Sequence, residues 1–210
     1  KGRITPDEFI PLAEESGLII DISNWVFNEV CSNIKQWKAQ NRQELQVSIN
    51  TSPSHYFNLE SNITQWLNLL LDQKISARSI LLEVTENLLM EANEMVSKKL
   101  FQFRQAGVDI ALDDFGTGYS SISYLKRFPT DFIKIDRSFV KSMTDVSNDK
   151  VLCEAIIVMA NRLGIKVVAE GVETQEQYDI LKSMGCDYAQ GYFIAKPLSK
   201  SDFESFWERH

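Results

Sequence analysis

Short apolar segments alternate with helical segments along the whole sequence, and this alternation restricts the fold more than any other feature. Six segments of six to eight residues read as strands: "LQVSINTS", "SILLEVTE", "VDIALDDF", "DFIKID", "KVVAEGV" and "YAQGYFI". Apolar residues at helical spacing fill the intervals between them. Strands that alternate with helices, with no polar linker, predict one parallel sheet covered by helices.

The predicted helices precede, separate and follow these strands. They are "TPDEFIPLAEESG", "DISNWVFNEVCSNIKQWKAQN", "NITQWLNLLLDQ", "ANEMVSKKLFQFRQAG", "SISYLKRF", "NDKVLCEAIIVMANRLG", "TQEQYDILKSMG" and "SKSDFESFWERH". With 210 residues and 44% hydrophobic content, the chain suits a single domain, residues 1–210, with a sizeable core.

The position of the polar residues separates the two architectures that such a pattern allows. An open doubly wound sheet binds ligands at one switch point, whereas a (β/α)8 barrel gathers every C-terminal strand end around one mouth. Nearly every predicted strand here ends in polar side chains: Asn50, Glu83, Glu86, Asp113, Asp114, Lys134, Asp136, Glu170 and Gln190. The sequence therefore predicts an α/β fold of the TIM-type (β/α)8 barrel class.

The strand count falls short of that barrel. Eight strands in about 250 residues are typical, and six are predicted here. The sequence begins at Lys1, without an initiator Met or a signal-peptide pattern. We therefore expect a domain that is incomplete at its N-terminus and lacks its first strands, roughly one and a half βα units.

Charge and cysteine usage exclude several classes of function. The net charge of -7 argues against an extended nucleic-acid surface, although a small anionic ligand is still allowed. Cys31, Cys153 and Cys186 are far apart and lack metal-ligand spacing, which is typical of a reduced cytoplasmic chain. No apolar run approaches the ~20 residues of a membrane helix, although upstream segments of a parent chain could anchor it.

The strand-end residues form an oxygen-rich set. Carboxylates and an Asn carbonyl suit hard cations such as Mg²⁺ or Mn²⁺, and zinc is disfavoured because His55 and His210 are the only histidines. Asp113 could bridge two cations while Asp114 holds the second, an arrangement that recurs in phosphoester hydrolysis. Lys134 could orient the attacking water or contact a phosphate.

Taken singly, these residues also have structural explanations. A lone strand-end acid is more often a helix cap or an ion-pair partner than a ligand. Asp136 is expected to cap the helix that follows it, Glu173 and Thr174 resemble helix-start residues, and His55 reads as a loop residue. The argument for function depends on the whole set.

Four motifs occur in order along the second half of the sequence: "DDFGTGYSS", "FIKIDRSFV", "VVAEGVET" and "GCDYAQGYFIAKPL". With them, the sequence resembles the EAL family of bacterial cyclic di-GMP phosphodiesterases. The segment "PDEFIPLAEESGLI" is similar to the one that follows the motif for which the family is named. The family has a barrel fold and hydrolyses cyclic di-GMP to linear pGpG with Mg²⁺ or Mn²⁺. The resemblance therefore implies this activity and two metal ions per site.

The resemblance also assigns roles to the matching residues. It makes Asn50, Glu83 and Asp113 metal ligands, Asp114 the aspartate of the second metal and a substrate contact, and Glu170 a further acidic ligand with a catalytic role.

Three more residues receive roles in the same way. Lys134 is similar to the residue that holds the catalytic water, and Glu86 to the glutamate that anchors the loop Phe115 to Ser121. Gln190 resembles a residue of the substrate and water network.

One part of the family pattern is absent. The Glu-Ala-Leu motif, which carries a metal-binding Glu and lies near a substrate-binding Arg, would precede Lys1. We therefore expect the 210-residue chain alone to be nearly inactive and its parent to carry an upstream sensory or cyclase-like domain. A homodimer is a further option for the partner.

Two other functions stay open. The first is a catalytically silent cyclic di-GMP receptor, which a broken metal set or loop would indicate. The second is a metal-dependent barrel enzyme of the aldolase or enolase type that acts on a small acid.

Overall fold

The computed structural model describes residues 4–40, 45–57, 63–117, 125, 127–128, 130–143 and 147–209. The chain divides into two compact units, one of residues 1–113 and 118–131, the other of residues 114–117 and 132–210. In the described part of the chain, no helix is both long and apolar enough to cross a membrane.

The first unit contains three parallel strands in the order β1-β2-β3. Its elements are α1 (Pro6–Ser16), α2 (Ile19–Ala39), β1 (Val47–Asn50), α3 (Ser54–Phe57), α4 (Ile63–Asp72), β2 (Ile80–Thr85), α5 (Glu86–Met90), α6 (Glu94–Gln105) and the part of β3 (Asp109–Phe115) up to Asp113.

Strand β2 is buried along five of its six residues. Apart from Glu83, these buried residues are apolar, as expected of a parallel strand covered on both faces. Aromatic rings also contribute to the core of the unit, where Phe27 stacks on Trp66 with centroids 4.3 Å apart. The indole Nε1 of Trp66 donates a hydrogen bond to Asn24 Oδ1, so this large ring is buried without losing its polar contact.

The second unit also contains three parallel strands, in the order β4-β5-β6. Its elements are β4 (Phe132–Ile135), α7 (Arg137–Lys141), α8 (Asn148–Leu163), β5 (Lys166–Ala169), α9 (Gln175–Ser183), β6 (Tyr188–Ala189) and α10 (Lys200–Trp207). The side chains of Ile133, Ile135 and Val167 are fully buried and form the core of this unit with Ile157 of α8.

Side-chain caps begin the helices of the second unit. Asp136 accepts a hydrogen bond from the Ser138 amide at the start of α7, which confirms its predicted capping role. Thr174 and Gln177 form a reciprocal capping box at the start of α9, as expected of a helix-start residue.

Several boundaries differ from those predicted. The predicted strand "YAQGYFI" is wrong beyond Ala189, because the chain turns at Gly191 and the Phe193 amide bonds to the Val172 carbonyl instead of extending the ladder. Helix α2 begins two residues before the predicted start and also ends two residues earlier. The predicted helix "SISYLKRF" lies largely outside the described residues.

Candidate functional site

Three of the predicted metal ligands lie on one face of the first unit's sheet. Asn50 and Glu83 are register partners at the ends of β1 and β2. Glu83 is in register with Ala111 on β3, and Asp113 lies two residues beyond Ala111. Register partners on parallel strands face the same side, and so do residues two apart on one strand. The pairing therefore brings Asn50, Glu83 and Asp113 to one face.

This arrangement fits a hard cation. Neighbouring strands are ~4.8 Å apart and each residue advances a strand by ~3.3 Å, so side chains on one face of adjacent strands are neighbours. Glu83 is only 4% exposed, so its carboxylate lies where water is largely excluded. Among the described residues, no group of three His, Cys, Asp or Glu side chains could hold a metal ion. A cation on this face would therefore need the Asn50 carboxamide as a ligand beside the carboxylates.

Glu86 lies outside the strand in which it was predicted. Strand β2 ends at Thr85, and Glu86 is the first residue of the short helix α5. An acidic side chain at a helix N-terminus is favourable because it faces the positive end of the helix dipole. Glu86 is also buried, at 5% exposure. Glu86 therefore does not follow the alternation of side chains along β2, and that alternation cannot be used to place it on the face opposite to Glu83.

Asp114 has a left-handed backbone conformation, with φ +56°. Asp is among the few residues that tolerate this region. Its carbonyl accepts hydrogen bonds from both the amide and the hydroxyl of Thr117, which closes a tight turn after the paired aspartates. The remainder of the predicted loop, from residue 118 to Ser121, lies outside the described residues.

A buried ion pair joins two predicted site residues of the second unit. Lys134 Nζ lies 2.6 Å from Glu170 Oε1, and their side chains are 5% and 19% exposed. Lys134 is in register with Val168, and Glu170 lies two residues beyond Val168, so both side chains share one face. Burial of an ammonium is costly unless a carboxylate accompanies it, and Glu170 provides that charge.

A pocket of about 300 Å³ opens beside Glu170. Its lining consists of Arg137, Glu170, Gly171, Glu173, Gln190, Gly191 and Tyr192. Gln190 is held there by its backbone, because its amide donates to the Ala169 carbonyl and its carbonyl accepts from the Val172 amide. The pocket thus places Gln190 and Glu170, two residues predicted from separate motifs, on one concavity.

Sequence reasoning did not single out Arg137 or Tyr192, which also line this pocket. Arg137 begins α7 and is an exposed arginine on a short helix, a type of residue that ordinarily has no function. Tyr192 follows the glycine of "QGYF" and is 60% exposed. An aromatic residue two positions after Gln190, a predicted substrate residue, was the one available indication.

A comparison with protein families decides the classification. The sequence profile of the EAL domain matches residues 1–197. The chain belongs to the EAL domain family. This membership confirms the resemblance drawn from the motifs.

The EAL domain described here is similar to part of the bifunctional diguanylate cyclase/cyclic di-GMP phosphodiesterase MucR of Pseudomonas aeruginosa. The two are 37% identical over 197 residues, which cover 94% of this chain and 29% of MucR. A solved complex of the MucR phosphodiesterase with cyclic di-GMP has a TM-score of 0.89, 36% identity, and covers 95% of this chain and 81% of that one. The curated relatives are multidomain proteins, of which this chain spans between about a quarter and a third.

The fold of the EAL domain is therefore of the predicted TIM-type barrel class, with six parallel strands in the described residues. A second solved relative is BlrP1 of Klebsiella pneumoniae in complex with manganese and cyclic di-GMP. It has a TM-score of 0.76 and 29% identity, and covers 93% of this chain and 49% of that one.

Proposed function

We propose that this EAL domain hydrolyses cyclic di-GMP to linear pGpG with two divalent cations, Mg²⁺ or Mn²⁺. The observation that carries the proposal is the shared face of Asn50, Glu83 and Asp113, a carboxamide and two carboxylates, in a chain whose family includes cyclic di-GMP phosphodiesterases. The manganese in the BlrP1 complex supports the same class of cation.

The side chains divide into ligands and positioning groups. Asn50, Glu83 and Asp113 would be metal ligands, Asp113 would serve both cations, Asp114 would hold the second cation, and Glu170 would be a further acidic ligand. Such cations activate water and neutralise phosphate charge. Lys134 donates hydrogen bonds from a fixed position because its ammonium is buried against Glu170. It is suited to hold the attacking water on the phosphate side.

The remaining predicted residues act around these groups. Gln190, on the pocket beside Glu170, would contact the substrate and its bound water, and Asp114 would add a substrate contact. Glu86 would act on catalysis by anchoring the segment that begins at Phe115. All of these roles rest on the family resemblance together with the burial described above.

The cellular setting is part of the proposal. Because the curated relatives are longer, multidomain proteins, we propose that the EAL domain acts beside a sensory or cyclase-like domain in a cytoplasmic setting, with a homodimer as an option. Residues 1–210 would form one such domain. No observation favours the aldolase or enolase type of reaction over a phosphodiesterase.

The test is a turnover assay of the purified full-length parent protein with cyclic di-GMP, in which pGpG is separated and quantified. The activity measurements proposed below use the same protein. We expect pGpG to form with Mg²⁺ or Mn²⁺, to stop when EDTA is added, and to resume when excess Mn²⁺ is restored. Tight binding without any pGpG would show a silent receptor instead. Turnover that is indifferent to EDTA would contradict the metal assignment.

A further inference from the structure

The pocket beside Glu170 contains two charged side chains that the catalytic proposal does not use. Arg137 and Glu173 both line it, with Tyr192 as its aromatic wall. Within the described part of the chain, neither the Arg137 guanidinium nor the Glu173 carboxylate forms an ion pair or a side-chain hydrogen bond. The Arg137 guanidinium also interacts electrostatically with the adjacent Asp136 carboxylate, which does not line the pocket. Opposite charges that line one cavity without pairing with each other are available to a ligand.

The backbone holds Arg137 in place at this pocket. Gly171 has φ +67°, and a Cβ at this position would lie 2.6 Å from Arg137 Cβ. Glycine therefore lets the loop after β5 approach the first turn of α7 closely. This close approach fixes the position of the Arg137 backbone beside the pocket that its side chain lines.

The size of the pocket indicates which part of a dinucleotide it takes. About 300 Å³ is at the small end of ligand pockets, which run from ~300 to 1,000 Å³. Such a volume suits a single base, not a whole cyclic dinucleotide. Lys196 Nζ lies over one face of the Tyr192 ring, 5.6 Å from its centroid. The ring is 60% exposed, so its opposite face is the one on which a base would stack.

The charges favour guanine over a phosphate. Glu170 is already neutralised by Lys134, which leaves one guanidinium and one carboxylate for the ligand. A phosphate would be repelled by Glu173, whereas guanine presents acceptors, O6 and N7, for an arginine fork and N–H donors for a carboxylate. Adenine has an amino group in place of O6 and lacks the N1 proton, so it would lose contacts with both side chains.

We infer that Arg137 is a specificity-determining residue that binds the O6/N7 edge of a guanine of the substrate in this pocket. This inference rests on the proposed function, because it assumes cyclic di-GMP as the ligand. It adds a base-selecting contact outside the metal ligands. Loss of one bidentate base contact typically changes discrimination by about tenfold or more.

The test compares the wild type with Arg137→Ala, Arg137→Lys and the control Arg162→Ala, an exposed arginine of α8 that does not line the pocket. KM and kcat are measured for cyclic di-GMP, and cyclic di-AMP is measured as a competing inhibitor. We expect Arg137→Ala to raise KM for cyclic di-GMP about tenfold, with kcat within about threefold of wild type and the inhibition constant of cyclic di-AMP unchanged. Arg137→Lys should not restore KM, because lysine lacks the planar fork.

Other outcomes would overturn the inference in distinguishable ways. Equal weakening of both dinucleotides by Arg137→Ala, with rescue by Arg137→Lys, would show a phosphate contact instead. Unchanged KM in Arg137→Ala, with an active wild type, would show that Arg137 does not contact substrate while leaving the proposed function intact. A wild type that neither binds nor hydrolyses cyclic di-GMP would remove the proposed function and this inference together.

Discussion

At the scale of single residues, Asp113 and Asp114 show how two adjacent carboxylates are accommodated at a strand end. Neighbouring residues on a regular strand point to opposite faces. The sequence therefore predicted a turn at this point. The structure places the turn at Asp114 through its left-handed φ, while Asp113 keeps the register of β3.

Asp113 is the residue whose loss should affect catalysis most. We expect Asp113→Asn, which keeps the shape and removes the charge, to lower turnover at least about 100-fold, or ~2.7 kcal/mol of activation free energy. Asp113 lies partly exposed at the end of its strand, so the unfolding midpoint should change little. The control Asp72→Asn, at the exposed end of α4, should leave turnover unaltered. A variant with more than a tenth of the wild-type rate would contradict the ligand role.

The Lys134–Glu170 pair makes a prediction about stability. Removing one member of a buried ion pair costs about 3–5 kcal/mol, because the other charge stays buried. We expect Lys134→Met and Glu170→Gln each to lower the free energy of unfolding, and the double variant to lose at least about 1 kcal/mol less than the sum. Urea unfolding of the four proteins measures this coupling. Strict additivity would show that the two side chains do not interact in solution.

His55 predicts how stability depends on pH. It was expected in a loop, but it lies buried in α3 beside the Trp66 ring, and Lys99 donates a hydrogen bond to its carbonyl. Burial, and then the charge of Lys99, lower the pKa of His55 from 6.5 to about 4. As the pH falls from 6.5 to 4, the unfolded chain binds a proton that the folded chain does not, so the folded state loses stability.

The size of that effect is about 2 kcal/mol between pH 7.5 and pH 5. Urea unfolding at these two pH values measures it for the wild type and for His55→Gln, which has no group that titrates there. We expect the variant to lose about 2 kcal/mol less than the wild type over this interval. The same loss in both proteins would mean that His55 is protonated in the folded state near its ordinary pKa.

The residues of the candidate site were more predictable from sequence than its surroundings. Asn50, Glu83 and Asp113 follow strands with strong apolar patterns, and strand register alone brings them to one face. Arg137 reaches its pocket because Gly171 allows the loop after β5 to approach the first turn of α7 closely. Such a contact between distant segments has no local pattern in the sequence.

At the scale of elements, the strands and long helices were predictable, and of the short helices α7 was expected after its capping residue Asp136, whereas α3 and α5 were not. Helices α3 and α5 have four and five residues, too few to show a helical period. The early end of strand β6 could not be predicted from the sequence either. Its predicted extension contains apolar residues suited to a strand, but Gly191 turns the chain against Val172.

The close approach of Gly191 to the Val172 backbone should make any side chain at position 191 destabilising. A Cβ at this position would lie 2.2 Å from the Val172 carbonyl oxygen and 2.4 Å from its nitrogen, both backbone atoms. We expect Gly191→Ala to lower the free energy of unfolding by at least about 2 kcal/mol, since the β5 and β6 loops must separate. It should also weaken cyclic di-GMP binding, because Gly191 lines the pocket.

The control for Gly191→Ala is Gly164→Ala, at the end of α8. Gly164 also has a positive φ, +72°, but a Cβ there would contact nothing within 4 Å. This variant should cost only the backbone strain of a left-handed alanine, about 1–2 kcal/mol. Equal losses in the two variants would show that the approach to Val172 is not tight in solution.

Two aspartates make the same type of hydrogen bond to the start of the preceding strand in the sequence. The Asp131 carboxylate accepts a hydrogen bond from the Ile110 amide of β3, and the Asp187 carboxylate accepts one from the Val167 amide of β5. Each aspartate comes one residue before the next strand, β4 or β6. The repetition indicates that the N-terminal ends of the strands serve stability, while the opposite ends carry the candidate site.

At the scale of the whole molecule, ligand binding should be linked to folding. A ligand that binds only the folded chain stabilises it by about 2.7 kcal/mol at 100 times its dissociation constant. We expect cyclic di-GMP with Ca²⁺ in place of Mg²⁺ to raise the urea midpoint accordingly, and the solved BlrP1 complex with calcium and cyclic di-GMP makes this cation a reasonable choice. GMP at the same concentration is the control. An unchanged midpoint would argue against binding.

The fold class of the whole chain was predictable because it depends on alternation, which persists over the entire sequence. The two-unit division was not, because no linker or change in composition marks it near Asp113 and residue 131. Compactness within each unit arises from packing between segments that are distant in sequence. The spacing of apolar residues along the sequence does not reveal which distant segments pack together.

Asn50, Glu83 and Asp113 share a face because successive side chains of a strand alternate between the two faces of the sheet, so a residue's position along its strand decides its face. Inserting or deleting one residue inside β2, before Glu83, would send that carboxylate to the opposite face, whereas a change of two would return it to the same side. Helices and loops outside the strands are free of this restriction. Evolution can therefore vary the lengths of the connecting segments widely in this chain, but it can move its ligands along the strands only in steps of two.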